Sequence, residues 1–311
     1  MKLKYILQLF IILFYSTMLL QAQPLPKVKK GTIERIEKFA SKYVDPRNVD
    51  VWLPESYSTK KKYAVLYMHD GQMLFDSTTT WNKKSWDVDK VITRLFEQGK
   101  LKDVIVVGIW NGDKSRHADY FPQKPFENLD TAKKEMVLTA ARNNGVSVFG
   151  NYQIQSDGYL KFLVEELKPF IDKKYRTNKD AAHTFIAGSS MGGLISMYAI
   201  CEYPNVFGGA ACLSTHWPGI FQMNNNPIPE AFYNYLQNNL PNPAKHKIYF
   251  DYGDKTLDAL YPPLQKKVDT IMQEKGYTDK SWLTKYFPGQ DHSEDSWRSR
   301  FEIPLLFLLG K

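Results

Sequence analysis

Apolar and polar positions along the chain follow two rhythms that take turns. Thr32–Phe39 and Val49–Leu53 switch polarity residue by residue, the period of antiparallel strands. Tyr63–Met68 and Val104–Ile109 are short apolar runs, as strands buried on both faces are. His183–Ala187, Gly209–Leu213, Lys247–Tyr252 and Leu283–Phe287 are four more strand candidates. Between them come helical spacings at Trp86–Gln98, Tyr159–Tyr175, Gly192–Glu202, Pro262–Gly276 and Ser296–Leu309. In the second of these, Phe162, Leu163, Leu167, Phe170 and Ile171 share one expected apolar face. The alternation predicts an α/β fold with a mostly parallel sheet and helices on both faces. Two segments break the rhythm. Residues 113–157 mix polar and aromatic positions, and 216–243 are rich in Asn and Pro. Both are expected as loops at the rim of a site.

The N-terminus stands apart from this pattern. Met1-Lys2-Leu3-Lys4 is a short basic start, Tyr5 to Leu20 is mostly apolar, and Gln21-Ala22-Gln23 comes next. That order predicts a signal peptide over 1–22 cut after Ala22, a tether over 23–31 and one folded domain over 32–311. The apolar run contains Gln8, Ser16 and Thr17 and is short for a membrane span, so no stable membrane insertion is expected after cleavage. The expected location is secreted or periplasmic.

Composition adds little to this. The chain has 311 residues, 43% hydrophobic and 24% charged, enough for a sizeable core. Its formal charge of +8 falls to +6 when Lys2 and Lys4 leave with the signal peptide. The cations are scattered and no nucleic-acid motif accompanies them, so no nucleic-acid partner is expected. Cys201 and Cys212 lie in apolar stretches and read as two buried free thiols. No ligand cluster has metal spacing, so neither metal nor cofactor is expected.

The candidate chemistry centres on Gly188-Ser189-Ser190-Met191-Gly192, a G-x-S-x-G motif between an expected strand and an expected helix. Glycines around a small hydroxyl allow the sharp turn that lifts a nucleophile off the sheet edge. Ser190 is the central serine, Ser189 a small filler, and the N–H of Met191 faces a developing oxyanion. Such a serine needs a base and an acid that come after it in the chain. His292, after the last expected strand in Pro288-Gly289-Gln290-Asp291-His292, is the base candidate. The acid belongs to the loop after Lys247–Tyr252, where Asp254 and Asp258 both qualify. A second oxyanion donor is expected after Tyr63–Met68, in His69-Asp70-Gly71-Gln72, at the N–H of Gln72. Trp110, Arg116, Tyr120 and Phe121 in one irregular segment, with His216 and Trp217 in the other, suggest an aromatic-lined substrate cleft.

With these residues assembled, the chain resembles the esterase D-like family of α/β-hydrolases, which includes enterochelin, feruloyl and acetylxylan esterases. The marks are His-Asp-Gly-Gln at 69–72, Gly-Ser-Ser-Met-Gly-Gly at 188–193, and Gly289-Gln290-Asp291-His292 followed by Trp297. The resemblance implies an α/β-hydrolase fold with an eight-stranded sheet and a serine esterase acting without a cofactor. It also implies oxyanion N–H groups at Gln72 and Met191. Its acid usually sits in a Gly-x-x-Asp pattern, but here Thr256 holds that place. Two extra loop residues would bring Asp258 into the role. The implied substrate is a small-molecule or oligosaccharide ester, most simply an acetyl or feruloyl ester of a carbohydrate. A siderophore ester and a catalytically silent carbohydrate-binding module are the alternatives.

Overall fold

The computed structural model describes residues 23–142 and 144–311. The signal-peptide expectation for 1–22 lies outside the described residues. Eight strands form one sheet: β1 (Thr32–Phe39), β2 (Arg47–Leu53), β3 (Ala64–His69), β4 (Val104–Ile109), β5 (Thr184–Ser189), β6 (Gly209–Leu213), β7 (Lys247–Tyr252) and β8 (Trp282–Tyr286). Their order across the sheet is β1-β2-β4-β3-β5-β6-β7-β8. β1 and β2 pair antiparallel, as do β2 and β4, and all other neighbours are parallel.

The central strands are apolar throughout because both faces are covered. Val65, Tyr67, Ile186, Cys212 and Phe250 point into one core. Leu66, Met68, Ala187, Leu213 and Tyr249 point into the other. The strand period of two thus sorts neighbouring residues onto opposite sides. The helix Met191–Glu202 is buried nearly all round, and it accordingly carries no polar face. Cys201 and Cys212 are buried free thiols, with burial raising both pKa values.

Five features depart from the sequence pattern. The helix expected over Tyr159–Tyr175 runs as Ser156–Lys161, a π-helical stretch Phe162–Leu167, and Lys168–Lys174. Pro169 lacks the N–H that would bond one turn back, and the wider π turn absorbs this. That extra residue per turn rotates the next helical segment, so Phe170 leaves the buried face and is 37% exposed. The C-terminal helix divides into Glu294–Arg300 and Glu302–Leu309. Pro304 blocks the bond to the Arg300 carbonyl.

The Asn-rich segment holds a full helix, Ile228–Asn239, which buries Phe232, Tyr235 and Leu236. The 113–157 segment holds three short helices, Arg116–Tyr120, Gln123–Glu127 and Thr131–Leu138. Finally, 23–31 is bonded to the domain. Lys27 N–H donates to Asp76 (2.9 Å), Lys29 N–H to Asp89 (2.7 Å), and Trp52 Nε1 to the Lys30 carbonyl (3.0 Å).

Candidate active site

The turn from β5 into the helix Met191–Glu202 places Ser190 at φ 58°, ψ −121°, a conformation costly for a residue with a side chain. Three backbone bonds hold it there. Ser190 N–H donates to the Leu213 carbonyl (2.9 Å), and the Ser190 carbonyl accepts from Leu194 (3.0 Å) and His216 (3.2 Å). Gly188 is required by close approach, since a Cβ there would sit 2.7 Å from the Gly192 backbone.

His292 Nδ1 lies 2.5 Å from Asp258 Oδ1. Asp258 is fully buried on the 3-10 turn Thr256–Leu260 that comes after β7. Its other oxygen accepts from Ser214 Oγ (2.6 Å) and the Gly253 N–H (2.7 Å). Burial pushes its carboxyl pKa up, but the hydrogen bond and charge of His292, with the bonds from Ser214 and Gly253, outweigh this and hold it below the usual range. An ionised carboxylate only accepts, so His292 donates this bond from Nδ1.

Asp254 points elsewhere, to the Tyr286 hydroxyl (2.7 Å) and the Gly289 N–H (2.9 Å). Thr256, at the position where the resemblance would put an acid, accepts the His292 N–H on its hydroxyl (2.9 Å). Ser190 and His292 line one cleft of about 340 Å³ with no direct hydrogen bond between them. Apo sites often show this looser spacing.

Gln72 lies in the 3-10 turn Gly71–Met73 after β3, and Met191 is the first residue of its helix. N–H groups at such positions have no acceptor one turn back. Gln72 lines the cleft, beside Asp70, Asn111 and Arg116. Asp70 grips Arg116 with two bonds, from Nε (2.6 Å) and Nη2 (2.8 Å), and accepts from Asn111 Nδ2 (2.7 Å). Burial raises the Asp70 pKa, but the charge and hydrogen bonds of Arg116, with the bond from Asn111 and the charge of His69, outweigh this and lower it.

Of the expected substrate residues, Arg116 alone lines this cleft. Trp110 donates its indole N–H to Asp50 (2.9 Å) and lies under the Arg35 guanidinium at 4.6 Å, so it packs the β1–β2 edge. Tyr120 and Phe121 are fully buried. His216 is buried, with Nδ1 bonded to the Tyr261 hydroxyl (2.9 Å). Trp217 has no exposed surface, since its indole N–H bonds Gln265 (2.8 Å) and its ring packs on Phe250. Tyr120, Phe121, His216 and Trp217 are buried because the segments expected as open loops fold back over the core.

Three tryptophans line the Ser190 cleft, and of these Trp81 is 84% exposed while Trp86 and Trp297 are buried. The Trp81 loop is pinned by Asn82 Nδ2 to Glu294 (2.9 Å) and by Lys84 to Asp295 (2.7 Å). Its sequence signal was an aromatic after the polar run Asp76–Thr80, within reach of the β3 turn. Ser214 and Arg300 were also missed, and Trp297 was noted only as a mark of the resemblance. Trp297 Nε1 (2.9 Å) and Arg300 Nη2 (2.8 Å) both donate to Ser214 Oγ, which bonds Asp258. Among the described residues, no group of His, Cys, Asp and Glu is placed to hold a metal ion. Nor is any helix among them long and apolar enough to cross a membrane.

The sheet order, the strained serine turn after β5 and the histidine loop after β8 define an α/β-hydrolase. The family model described as "Putative esterase" matches residues 41–306. The chain belongs to that esterase family, a family of carboxylic ester hydrolases. The uncharacterized protein YbbA of Bacillus subtilis is 22% identical over 273 residues, 85% of this chain and 93% of that one. An endo-1,4-beta-xylanase/feruloyl esterase of Xylanibacter ruminicola is 25% identical over 201 residues, 60% of this chain and 22% of that one. A solved ferulic acid esterase superposes with a TM-score of 0.62 at 19% identity, over 90% of this chain and 98% of that chain. The enterobactin esterase FES of Shigella flexneri gives 0.64 at 16% identity, over 91% and 60%. At these identities the superpositions speak to the fold.

The buried side chains make two expectations testable. Trp217→Ala empties a core position and strands Gln265, so urea denaturation should show a loss of about 3–5 kcal/mol. A change under about 1 kcal/mol would place Trp217 outside the core. The second concerns His69, His117 and His216. Burial lowers the first two to about 3 and the third well below its usual 6.5, so all three are neutral when folded. Each takes up a proton on unfolding below pH 6.5, where stability is lost as pH falls. Between about pH 6.5 and 5, unfolding free energy should drop by up to about 1.4 kcal/mol per pH unit for each ring. A flat profile would contradict their burial.

Proposed function

We propose that the protein is an exported serine esterase that removes an acetyl or phenolic acyl group from a carbohydrate. Ser190 is the nucleophile, His292 the base and Asp258 the acid. The observation that carries this is the 2.5 Å contact between His292 and the buried Asp258, with Ser190 in the same cleft. His292 Nε2 takes the Ser190 proton as Oγ attacks the ester carbonyl. The N–H groups of Gln72 and Met191 stabilise the oxyanion. The tetrahedral adduct collapses to an acyl-Ser190 and an alcohol that receives the proton from His292. Water, deprotonated by the same ring, then releases the acid.

Two features support a carbohydrate ester. The cleft wall is polar at Asn111, Asp113 and Glu294, groups suited to hydroxyls, and Trp81 offers a flat exposed ring on which a sugar can stack. The basic start, apolar run and Ala22 support export.

Ser190→Ala should abolish hydrolysis of 4-nitrophenyl acetate with the circular dichroism spectrum unchanged, whereas Ser189→Ala should retain it. The reverse pattern would move the nucleophile by one residue. Trp81→Ala should lower kcat/KM on acetylated or feruloylated oligosaccharide about tenfold more than on 4-nitrophenyl acetate, which never reaches a remote subsite. Equal losses would remove Trp81 from the subsite. Turnover of a triscatechol ester with none of any acylated sugar would replace the carbohydrate by a siderophore. N-terminal sequencing of the exported protein should return Gln23, and Met1 would contradict cleavage.

A further inference from the structure

The Ser190 cleft does not end at Arg116. On the far side of that residue lies a second basin of about 670 Å³, and Arg116 and Asp113 line both spaces. Its walls carry two more cations, Lys114 and Arg142. Arg116 is already matched to Asp70. Lys114 and Arg142 form no ion pair with any described residue, and both are exposed. Arg142 is nevertheless positioned. Its guanidinium stacks 4.8 Å from the Phe221 ring centroid, and its backbone N–H bonds the Val146 carbonyl at 2.8 Å. Asp113 is the one carboxylate among the described residues of the basin wall, which carries three cations, Lys114, Arg116 and Arg142.

The positive charge is felt by its neighbours. Burial, and then the charge of Arg116, lowers the Arg142 pKa. After burial, the charges of Arg116 and Arg142 further disfavour protonation of His117 on the basin wall. An unpaired planar guanidinium held by stacking, with a second one on the same wall, has the fork geometry that receives a carboxylate with two parallel bonds.

We propose that this basin is a subsite for a carboxylate carried by the ester substrate, such as a uronic acid on the alcohol side or a dicarboxylic acyl group. This rests on the reading of the Ser190 cleft as the place of hydrolysis and specifies the group the substrate must bear beside its ester.

Two substrate pairs test it. One is 4-nitrophenyl acetate against 4-nitrophenyl hemisuccinate, with the charge on the acyl side. The other is O-acetylated methyl glucoside against O-acetylated methyl glucuronide, with the charge on the alcohol side. In one pair the acidic member should be preferred about tenfold in kcat/KM, and high salt should shrink that preference. Arg142→Gln should bring the ratio to about one. Calorimetric titration with glucuronate and glucose needs no turnover. Glucuronate should bind wild type about tenfold more tightly than glucose, and Arg142→Gln should remove the difference. Absence of both preferences, or their survival in Arg142→Gln, would overturn the subsite even if neutral esters are hydrolysed. Selective glucuronate binding in a protein that hydrolyses none of the four esters would uphold the basin and overturn the esterase assignment of the cleft.

Discussion

Asp258 is a carboxylate with no exposed surface, and an unpaired charge there would cost several kcal/mol. Several elements around the site contribute to meeting that cost. β6 leads into Ser214, whose hydroxyl donates to Asp258. β7 ends before Gly253, whose N–H donates as well. The loop after β8 brings His292 to the remaining oxygen. Behind them Arg300 and Trp297, from the helix Glu294–Arg300, fix the Ser214 hydroxyl, and Arg300 also pairs with buried Asp251 at 2.8 Å. Removing any one of these partners would leave a desolvated polar group behind, so the acid loop, the histidine loop and the C-terminal helix are held as one unit.

Close backbone approach completes that unit. Asp254 and Lys255 N–H groups both donate to the Gln290 carbonyl at 3.0 Å, zipping the acid loop to the histidine loop. A Cβ on Gly253 would meet that same carbonyl at 2.2 Å, so only glycine permits the contact. The strained Ser190 is fixed from the other side by β6 and by His216. Backbone strain of this kind persists where the surroundings over-determine it, and it presents the hydroxyl to the cleft without a search among rotamers of a loop.

Much of this was legible in the chain. Apolar runs such as Val104–Ile109 marked the inner strands because burial on both faces leaves no polar positions. Gly188–Gly192 marked the serine turn because its geometry tolerates few other residues. The contact of Asp258 with His292 was reachable only by allowing two extra loop residues, since Thr256 stands where the spacing would place an acid. The illegible parts depended on tertiary context. Nothing local distinguishes Trp217, sealed under Gln265, from Trp81, left open on a pinned loop. The helix Ile228–Asn239 was hidden by its asparagines, and the register change that turns Phe170 outward needed the π-helical stretch to be known.

The central claim is that one buried carboxylate, acting through His292, activates Ser190. Labelling with a serine-reactive fluorophosphonate, followed by peptide mapping and by rate measurement in Asp258→Asn and Asp254→Asn, tests it most directly. The account predicts a single adduct on Ser190, a rate lowered on the order of 10³–10⁴-fold in Asp258→Asn, and little change in Asp254→Asn. An adduct on Ser189, or a loss of rate in Asp254→Asn with Asp258→Asn unaffected, would contradict it.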